Sequence, residues 1–214
     1  MDIVAVTAWG EPHDFVSSAL PAQPARVLEV GAGAGELATS LTELGYEVVA
    51  IDPAPGASHV LPVPLHELRR PAGHFDAAVA MLSLHHIEPL AESCRVLGEL
   101  VRPGGRLVID EFDVHVFDER AARWLFEHRG ASAAAELGDP STLVRELRDH
   151  LHSLERVRRE LSPFFALGDP VRGPYLYRWD LPPGLRGAEE RLIAEGRLPA
   201  TGSRMVGRRH LQSG

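Results

Sequence analysis

Residues 27–37, Val-Leu-Glu-Val-Gly-Ala-Gly-Ala-Gly-Glu-Leu, join a short apolar run to a glycine loop and then to a helical pattern. The first part is apolar and β-branched, as a strand buried on both faces of a parallel sheet must be. The three glycines let the backbone turn sharply and leave no Cβ in the way of a ligand. Leu37, Leu41 and Leu44 follow at i, i+4 and i+7, with Gly45 placed to stop the helix. Strand, glycine loop and helix in this order open a nucleotide-binding βαβ unit.

The rest of the chain repeats that alternation. A helix is expected over residues 12–20, ended by Pro21 and Pro24, and a short strand or fraying start over 2–6. The second strand spans 47–51 and ends in the loop Asp52-Pro53-Ala54-Pro55-Gly56. Residues 60–63 read as a weak edge strand, interrupted by Pro62 and Pro64. Strands follow at 75–81 and 106–112, separated by a helix over 87–101 and the turn Arg102-Pro103-Gly104-Gly105. In that helix Leu90, Cys94, Leu97 and Val101 form a buried stripe. Strict strand–helix alternation implies an α/β fold, a parallel sheet covered on both faces. The pattern then becomes helical: helices at 118–130, 141–151 and 154–161, with an alanine-rich connection at 131–138. Residues 174–180 read as a sixth strand, 183–196 contain a helix, and 202–208 form a final strand.

Composition narrows the chemistry. The 214 residues can bury a full core, and one domain is expected. All 22 basic residues are arginine, so a Schiff-base lysine and a Walker lysine are excluded. The chain has no asparagine, and its Ala, Arg, Gly and Pro bias has the look of a GC-rich genome. A net charge of −8 argues against a general nucleic-acid or anionic-membrane binder. No apolar run is long enough to span a membrane, and the acidic Met1-Asp2 start does not read as a signal peptide. The single cysteine, Cys94, excludes an internal disulfide framework and a cysteine zinc cluster. A reduced cytoplasm is the expected setting.

The loop is G-x-G-x-G rather than the dinucleotide fingerprint G-x-G-x-x-G, because residue 36 is Glu. Asp52 ends the second strand about 20 residues on, where a carboxylate accepts both ribose hydroxyls. Glu29 and Glu36 beside the loop are poor company for a pyrophosphate and suit a cationic ligand without phosphate. S-adenosylmethionine, with its sulfonium and ammonium, is such a ligand. The string Val-Leu-Glu-Val-Gly-Ala-Gly-Ala-Gly resembles motif I of the class I S-adenosylmethionine-dependent methyltransferases. Val-Val-Ala-Ile-Asp52 resembles their second motif. Residues 75–86, ending in Ser83-Leu84-His85-His86, are similar to their fourth-strand motif. Residues 100–107, with Pro103-Gly104-Gly105, are similar to the turn before their fifth strand. The four motifs occur in order over about residues 26–110.

The resemblance implies a Rossmann-like seven-stranded methyltransferase sheet, parallel except for its last strand, with helices on both faces and a helical insertion near the active site. Within one domain it implies a cap segment at 1–25, a cofactor-binding core at 26–112, an acceptor lid at 113–165 and C-terminal strands and helix at 166–214. S-adenosyl-L-methionine is the implied cofactor. Gly31, Ala32, Gly33 and Gly35 would approach its methionine part, Glu29 would hold its ammonium, and Asp52 and Pro53 would meet ribose and adenine. Ala80, Met81 and Leu82 would lie beneath the sulfonium. Many relatives carry an acidic residue at the adenine edge, where this chain has Pro64 or Leu65, so the adenine amino group is left to backbone, His66 or Glu67.

Methyl transfer is an in-line displacement that needs the acceptor held near attack geometry and, for oxygen or nitrogen acceptors, a base. His85 and His86 follow the fourth strand, and Glu111, Asp113 and His115 follow the fifth, all at the rim where an acceptor would sit. His85, His86 and Glu111 are the candidate catalytic residues; Asp113 and His115 read first as loop hydrogen-bonding groups, and no metal set is expected. The reading is methyl transfer to a small-molecule acceptor in specialised metabolism, by a monomer or homodimer, with no nucleic-acid or membrane partner. Two alternatives stand beside it: a non-catalytic S-adenosylmethionine-binding partner or sensor, and an NAD(P)-dependent oxidoreductase, against which the missing glycine and the acidic flanks speak.

Overall fold

The computed structural model describes residues 9–129, 137–179 and 181–211. The expected 2–6 strand and most of the 131–138 connection lie outside these residues. In chain order the main elements are α1 (Pro12–Ala19), β1 (Arg26–Val30), α2 (Glu36–Glu43), β2 (Glu47–Ile51), β3 (Phe75–Met81), α3 (Leu90–Leu100) and β4 (Val101–Phe112). They continue with α4 (Glu119–Arg129), α5 (Pro140–His150), α6 (Leu154–Leu161), β5 (Phe165–Leu167), β6 (Val171–Gly173), α7 (Arg186–Ala194) and β7 (Gly202–Arg209).

The seven strands form one sheet in the order β2-β1-β3-β4-β7-β5, with β6 also pairing β7. The pairs β1–β2, β1–β3 and β3–β4 are parallel, whereas β7 runs antiparallel to β4, β5 and β6. Only β7 is therefore reversed among the described strands, as expected. One face carries Leu28, Val30, Ala78 and Ile109 under α3 and α6. The other carries Val27, Ala77, Val79 and Val108 under α1 and α2. A third cluster lies past the end of β4, where Phe112 and Phe117 pack with Trp124, Leu125, Leu143, Tyr175 and Leu176. No helix among the described residues is long and apolar enough to cross a membrane.

Several expectations need correction. Residues 60–63 make a single bridge, Ile51 to Leu61, because Pro62 and Pro64 bring no N–H to a ladder. The described part of the expected 174–180 strand, residues 174–179, is not a strand: Leu176–Arg178 is a 3-10 turn. The N–H groups of Tyr175, Leu176 and Tyr177 all donate to the buried Glu189 carboxylate, at 2.7, 2.9 and 2.9 Å, and none is left for a ladder. The missing places in the sheet are filled by β5 and β6, three residues each and too short to show a periodicity. The helix expected from residue 87 starts at Leu90, since Pro89 holds extended backbone just before it. Leu90, Cys94 and Leu97 of its stripe are buried on the helix, but Val101 is buried as the first residue of β4, which also takes in the expected turn 102–105; Leu44 of the first helical pattern is exposed, lying past the end of α2.

Candidate functional site

Strand order reverses direction at β1, whose neighbours are β2 on one side and β3 on the other. A crevice therefore opens beyond the carboxyl ends of β1 and β3. Gly31 ends β1 with φ +72°, and a Cβ there would lie 2.3 Å from Ser83 Cβ in the loop after β3. The glycine is what lets the two loops touch. The Gly31 and Ala32 N–H groups both donate to Ile51 O, at 2.9 and 3.0 Å, which ties the loop to the end of β2. Gly33 (φ +53°) and Gly35 (φ +73°) complete the turn into α2, and a Cβ at Gly35 would strike the His59 ring at 2.2 Å.

A cleft of about 380 Å³ lies at this crossing, lined by Gly31, Asp52, Pro53, Pro64, Leu82, Ser83, His86, Ile87 and Glu88. Asp52 is aimed by backbone: Gly33 N–H donates to Oδ2 at 3.0 Å and Ala54 N–H to Oδ1 at 2.8 Å. Each oxygen keeps further acceptor capacity for hydroxyls. Leu82 turns out of β3 with φ +57°, unusual for a side chain of this size, and its N–H donates to Asp110 O at 2.9 Å.

Glu29 lies on β1 beneath the loop and is 3% exposed. Burial pushes its carboxyl up to about 7, and the Ala38 N–H near the start of α2 only partly offsets this. Its Oε2 is buried with no hydrogen-bond partner, as is Ser83 Oγ on the cleft wall. A buried carboxylate oxygen without a donor is expensive, and a cationic amine is the chemistry that would satisfy it. Glycine cradle, aimed Asp52 and orphaned Glu29 oxygen therefore fit S-adenosylmethionine.

The three candidate catalytic residues come together but in different settings. Glu111, 1% exposed, accepts the Ser83 and Leu84 N–H groups on Oε1, at 2.9 and 2.6 Å, and its Oε2 meets His85 Nδ1. His85 is also buried; Glu111 therefore organises the loop after β3 and orients His85. His86 lines the cleft, its ring centre 4.2 Å from that of His85. Its pKa is lowered, by burial first and then by His85, against a smaller upward pull from Glu111 and with a further lowering by His152. His152 pins this loop from the α5–α6 connection: its N–H donates to His85 O at 2.9 Å, and its Nε2 lies 3.0 Å from Ile87 O and 3.1 Å from Glu88 Oε1.

Other expected site residues are distributed around this centre. Ala32 packs with Ala38, Ala50 and Val60. Leu65 and Ala80 have their side chains in the core, and Pro64 takes the place on the cleft wall expected of Leu65. His66 sits on the 3-10 turn Leu65–Glu67, 3.7 Å from Glu67. Met81 faces Arg178, Sδ to Nη2 at 3.9 Å. Asp113 is bound to Arg172 at 2.6 Å and caps the His115 N–H, and His115 is exposed. Ser83, Ile87 and Glu88 were not singled out from sequence; their signal was adjacency to the His85-His86 pair. No group of three or more His, Cys, Asp and Glu among the described residues is placed to hold a metal ion.

A family model described as a methyltransferase domain matches residues 7–156. A ubiquinone biosynthesis O-methyltransferase of Xanthomonas axonopodis pv. citri is 34% identical over 113 residues, 45% of this chain and 46% of that one. The chain spans less than half the length of the curated relatives it matches. An S-adenosylmethionine-dependent methyltransferase structure from Mesorhizobium loti superposes with a TM-score of 0.58 at 19% identity, covering 91% of this chain and 95% of that one. The Burkholderia thailandensis 1,6-didemethyltoxoflavin-N1-methyltransferase, solved with 1,6-didemethyltoxoflavin and S-adenosylhomocysteine, superposes with a TM-score of 0.51 at 20% identity, covering 87% and 72%. At such identities the likeness speaks for the fold.

Proposed function

The chain belongs to the methyltransferase-domain family, and on that premise we propose that it transfers the methyl group of S-adenosylmethionine to a small-molecule acceptor. The observation that carries the reading is the orphaned Glu29 Oε2, buried on the strand that leads into the glycine cradle, and with it stands the aimed carboxylate of Asp52. Bound S-adenosylmethionine supplies an electrophilic methyl group on a sulfonium. Glu29 would hold its ammonium, Asp52 its ribose, and Pro53 and Pro64 would wall the adenine end. Two named proteins similar to this one, in ubiquinone biosynthesis and on 1,6-didemethyltoxoflavin, support the small-molecule class.

Catalysis rests first on holding acceptor and methyl donor in line, which needs no covalent intermediate. His86 is neutral at pH 7, lines the cleft, and takes the acceptor's proton when that acceptor is a hydroxyl or an amine. Glu111 and His85 hold the loop on which His86 stands. The helices α4 and α5, packed past the end of β4, would cover the acceptor side.

The test is calorimetric titration with S-adenosylhomocysteine, with a reduced nicotinamide dinucleotide as control. Micromolar binding of the first alone supports the reading; binding of the dinucleotide alone overturns it in favour of an oxidoreductase. His86→Ala should bind S-adenosylhomocysteine as the parent does and turn over a proton-losing acceptor at least 100-fold more slowly, within the range of base catalysis. A normal rate removes His86 from the mechanism. Cofactor binding without turnover of any acceptor would leave a sensor or partner protein.

A further inference from the structure

Asp110 precedes Glu111 on β4, so its side chain points to the opposite face of the sheet, toward α1. Two guanidinium groups converge on it. Arg178 donates from Nη1 to Oδ1 at 3.2 Å and from Nη2 to Oδ2 at 3.3 Å; Arg204 donates from Nε to Oδ2 at 3.1 Å. The side chains of Asp110 and Arg204 are 0% exposed, and that of Arg178 is 14% exposed. One carboxylate thus faces two enclosed cations, which leaves one positive charge uncompensated.

The hydrogen bonds are short of partners in the same place. Arg204 Nη1 donates to Gly10 O at 2.9 Å, but Nη2 is buried with no acceptor. Its guanidinium lies 4.2 Å from the centre of the Trp9 ring and 5.0 Å from that of Phe15. Trp9 Nε1 is itself buried and without an acceptor, and so is the Tyr177 hydroxyl. Burial raises the Tyr177 pKa, Arg178 and Arg186 pull it back down, Glu11 pushes it up again, and Arg204 adds a last lowering. Arg186 is satisfied by Glu190 and Glu11. Arg204 Nη2, Trp9 Nε1 and Tyr177 Oη are donors waiting for an acceptor.

The site is built rather than incidental. Glu189 on α7 gathers the N–H groups of Tyr175, Leu176 and Tyr177, and so fixes the turn that carries Tyr177 and Arg178. Trp9 fits only because residues 173 and 202 are glycine: a Cβ would meet its ring at 2.1 and 2.8 Å respectively. The cluster also adjoins the cleft. Arg178 touches Met81, and Leu82, the next residue, lines the cleft while its N–H binds the Asp110 carbonyl.

We propose that Arg178, Arg204, Tyr177 and Trp9 form a carboxylate-binding site that seats the acid group of a reactant. A carboxylate supplies the missing charge and is the acceptor class that the unpaired guanidinium, indole and hydroxyl donors call for. It rests on the methyltransferase reading, and two reactants can bring it: the amino-acid end of the cofactor or an acidic methyl acceptor.

The test uses the full chain, Tyr177→Phe and Arg178→Met. Each is titrated with S-adenosylhomocysteine and with methylthioadenosine, which lacks the amino-acid part. Thermal unfolding is followed with acetate or acetamide at constant ionic strength, with and without S-adenosylhomocysteine. The expected result is that acetate stabilises the ligand-free parent more than acetamide does, and that both variants lose this difference. If the cofactor's carboxylate is seated, Arg178→Met loses at least tenfold in S-adenosylhomocysteine affinity and none for methylthioadenosine, and bound S-adenosylhomocysteine abolishes the acetate effect. If the acceptor's is seated, S-adenosylhomocysteine affinity stays within twofold and acetate still stabilises that complex. Acetate acting no better than acetamide, with S-adenosylhomocysteine affinity unchanged in the folded variants, overturns the site. A parent that binds no S-adenosylhomocysteine but is stabilised by acetate overturns the methyltransferase reading and leaves the site standing.

Discussion

Glu29 makes cofactor affinity depend on pH in a direction that can be worked out. Its carboxyl is raised by burial from 4.5 to about 7, so in the ligand-free protein it is half protonated near neutrality. An ammonium group needs the carboxylate. Between pH 8 and pH 6 the ionised fraction of a group titrating at 7 falls from about nine-tenths to about one-tenth, so S-adenosylhomocysteine should bind roughly tenfold more weakly at pH 6. Glu29→Gln cannot ionise. Its affinity should be weaker than the parent's even at pH 6, where about a tenth of the parent is still ionised, and should not change between the two pH values.

Stability moves the other way. A folded pKa above the unfolded value means that the folded chain favours the protonated acid. The stability due to Glu29 is therefore full below the unfolded value and is lost as pH rises through about 7. A rise from 4.5 to about 7, at about 1.4 kcal/mol per unit, corresponds to about 3 kcal/mol lost by pH 8. Glu29→Gln should then be more stable than the parent at pH 8, in urea titrations without ligand, while binding the cofactor less well. Calorimetry across pH 6–8 on both proteins decides the matter: equal affinities at all pH values, or a parent affinity that rises as pH falls, would refute the assignment of Glu29 to the ammonium.

Three further outcomes follow from the geometry. Gly31→Ala combines a left-handed residue with a 2.3 Å clash against Ser83 Cβ, so it should cost well over the ~1–2 kcal/mol of the backbone alone and lose S-adenosylhomocysteine binding; Gly33→Ala, in open space at φ +53°, should cost only the backbone share, and equal unfolding midpoints for the two would contradict this. Glu111→Ala strands two backbone N–H groups and His85, and should lower stability by about 3–5 kcal/mol in urea titrations; Glu111→Gln keeps an oxygen for Ser83 and Leu84 but presents an NH2 to His85, which nitrogen-15 NMR should report as a change of His85 tautomer. Glu189→Ala removes one acceptor from three buried or half-buried N–H groups, so unfolding should ease by about 3 kcal/mol or more, and a change below 1 kcal/mol would mean that water replaces the carboxylate.

The cofactor half of the fold was legible because its physics is local. Glycines with positive φ, an acid at a strand end and buried apolar runs each leave a mark within a few residues of themselves. What was missed depends on partners far along the chain. Tyr175, Tyr177 and Trp179 alternate as strand residues do, and nothing near them reveals that Glu189 has taken three of the N–H groups a ladder would need. Asp113 reads as a rim acid until Arg172 is placed beside it. Arg178 and Arg204 were hidden by composition: where all 22 basic residues are arginine, a buried functional arginine looks like any solvated one. The stacking of Trp9 and Phe15 against Arg204 joins residues nearly the whole chain apart.

The end of β4 explains why the two halves of the site belong together. Asp110 and Glu111 are consecutive, so the pleat sends one acid to each face of the sheet. Glu111 gathers the Ser83–His85 loop on the α3 side and sets His86 on the cleft wall. Asp110 gathers Arg178 and Arg204 on the α1 side, and its carbonyl holds the Leu82 N–H. Both residues therefore hold the same short stretch after β3, Glu111 through its carboxylate and Asp110 through its backbone carbonyl. Leu82, strained at φ +57°, is its first residue. A backbone held in this way can keep a conformation that a leucine does not choose on its own. Leu82 lines the cleft beside Ser83 and His86, and in the proposed methyl transfer a small displacement there would spoil in-line attack.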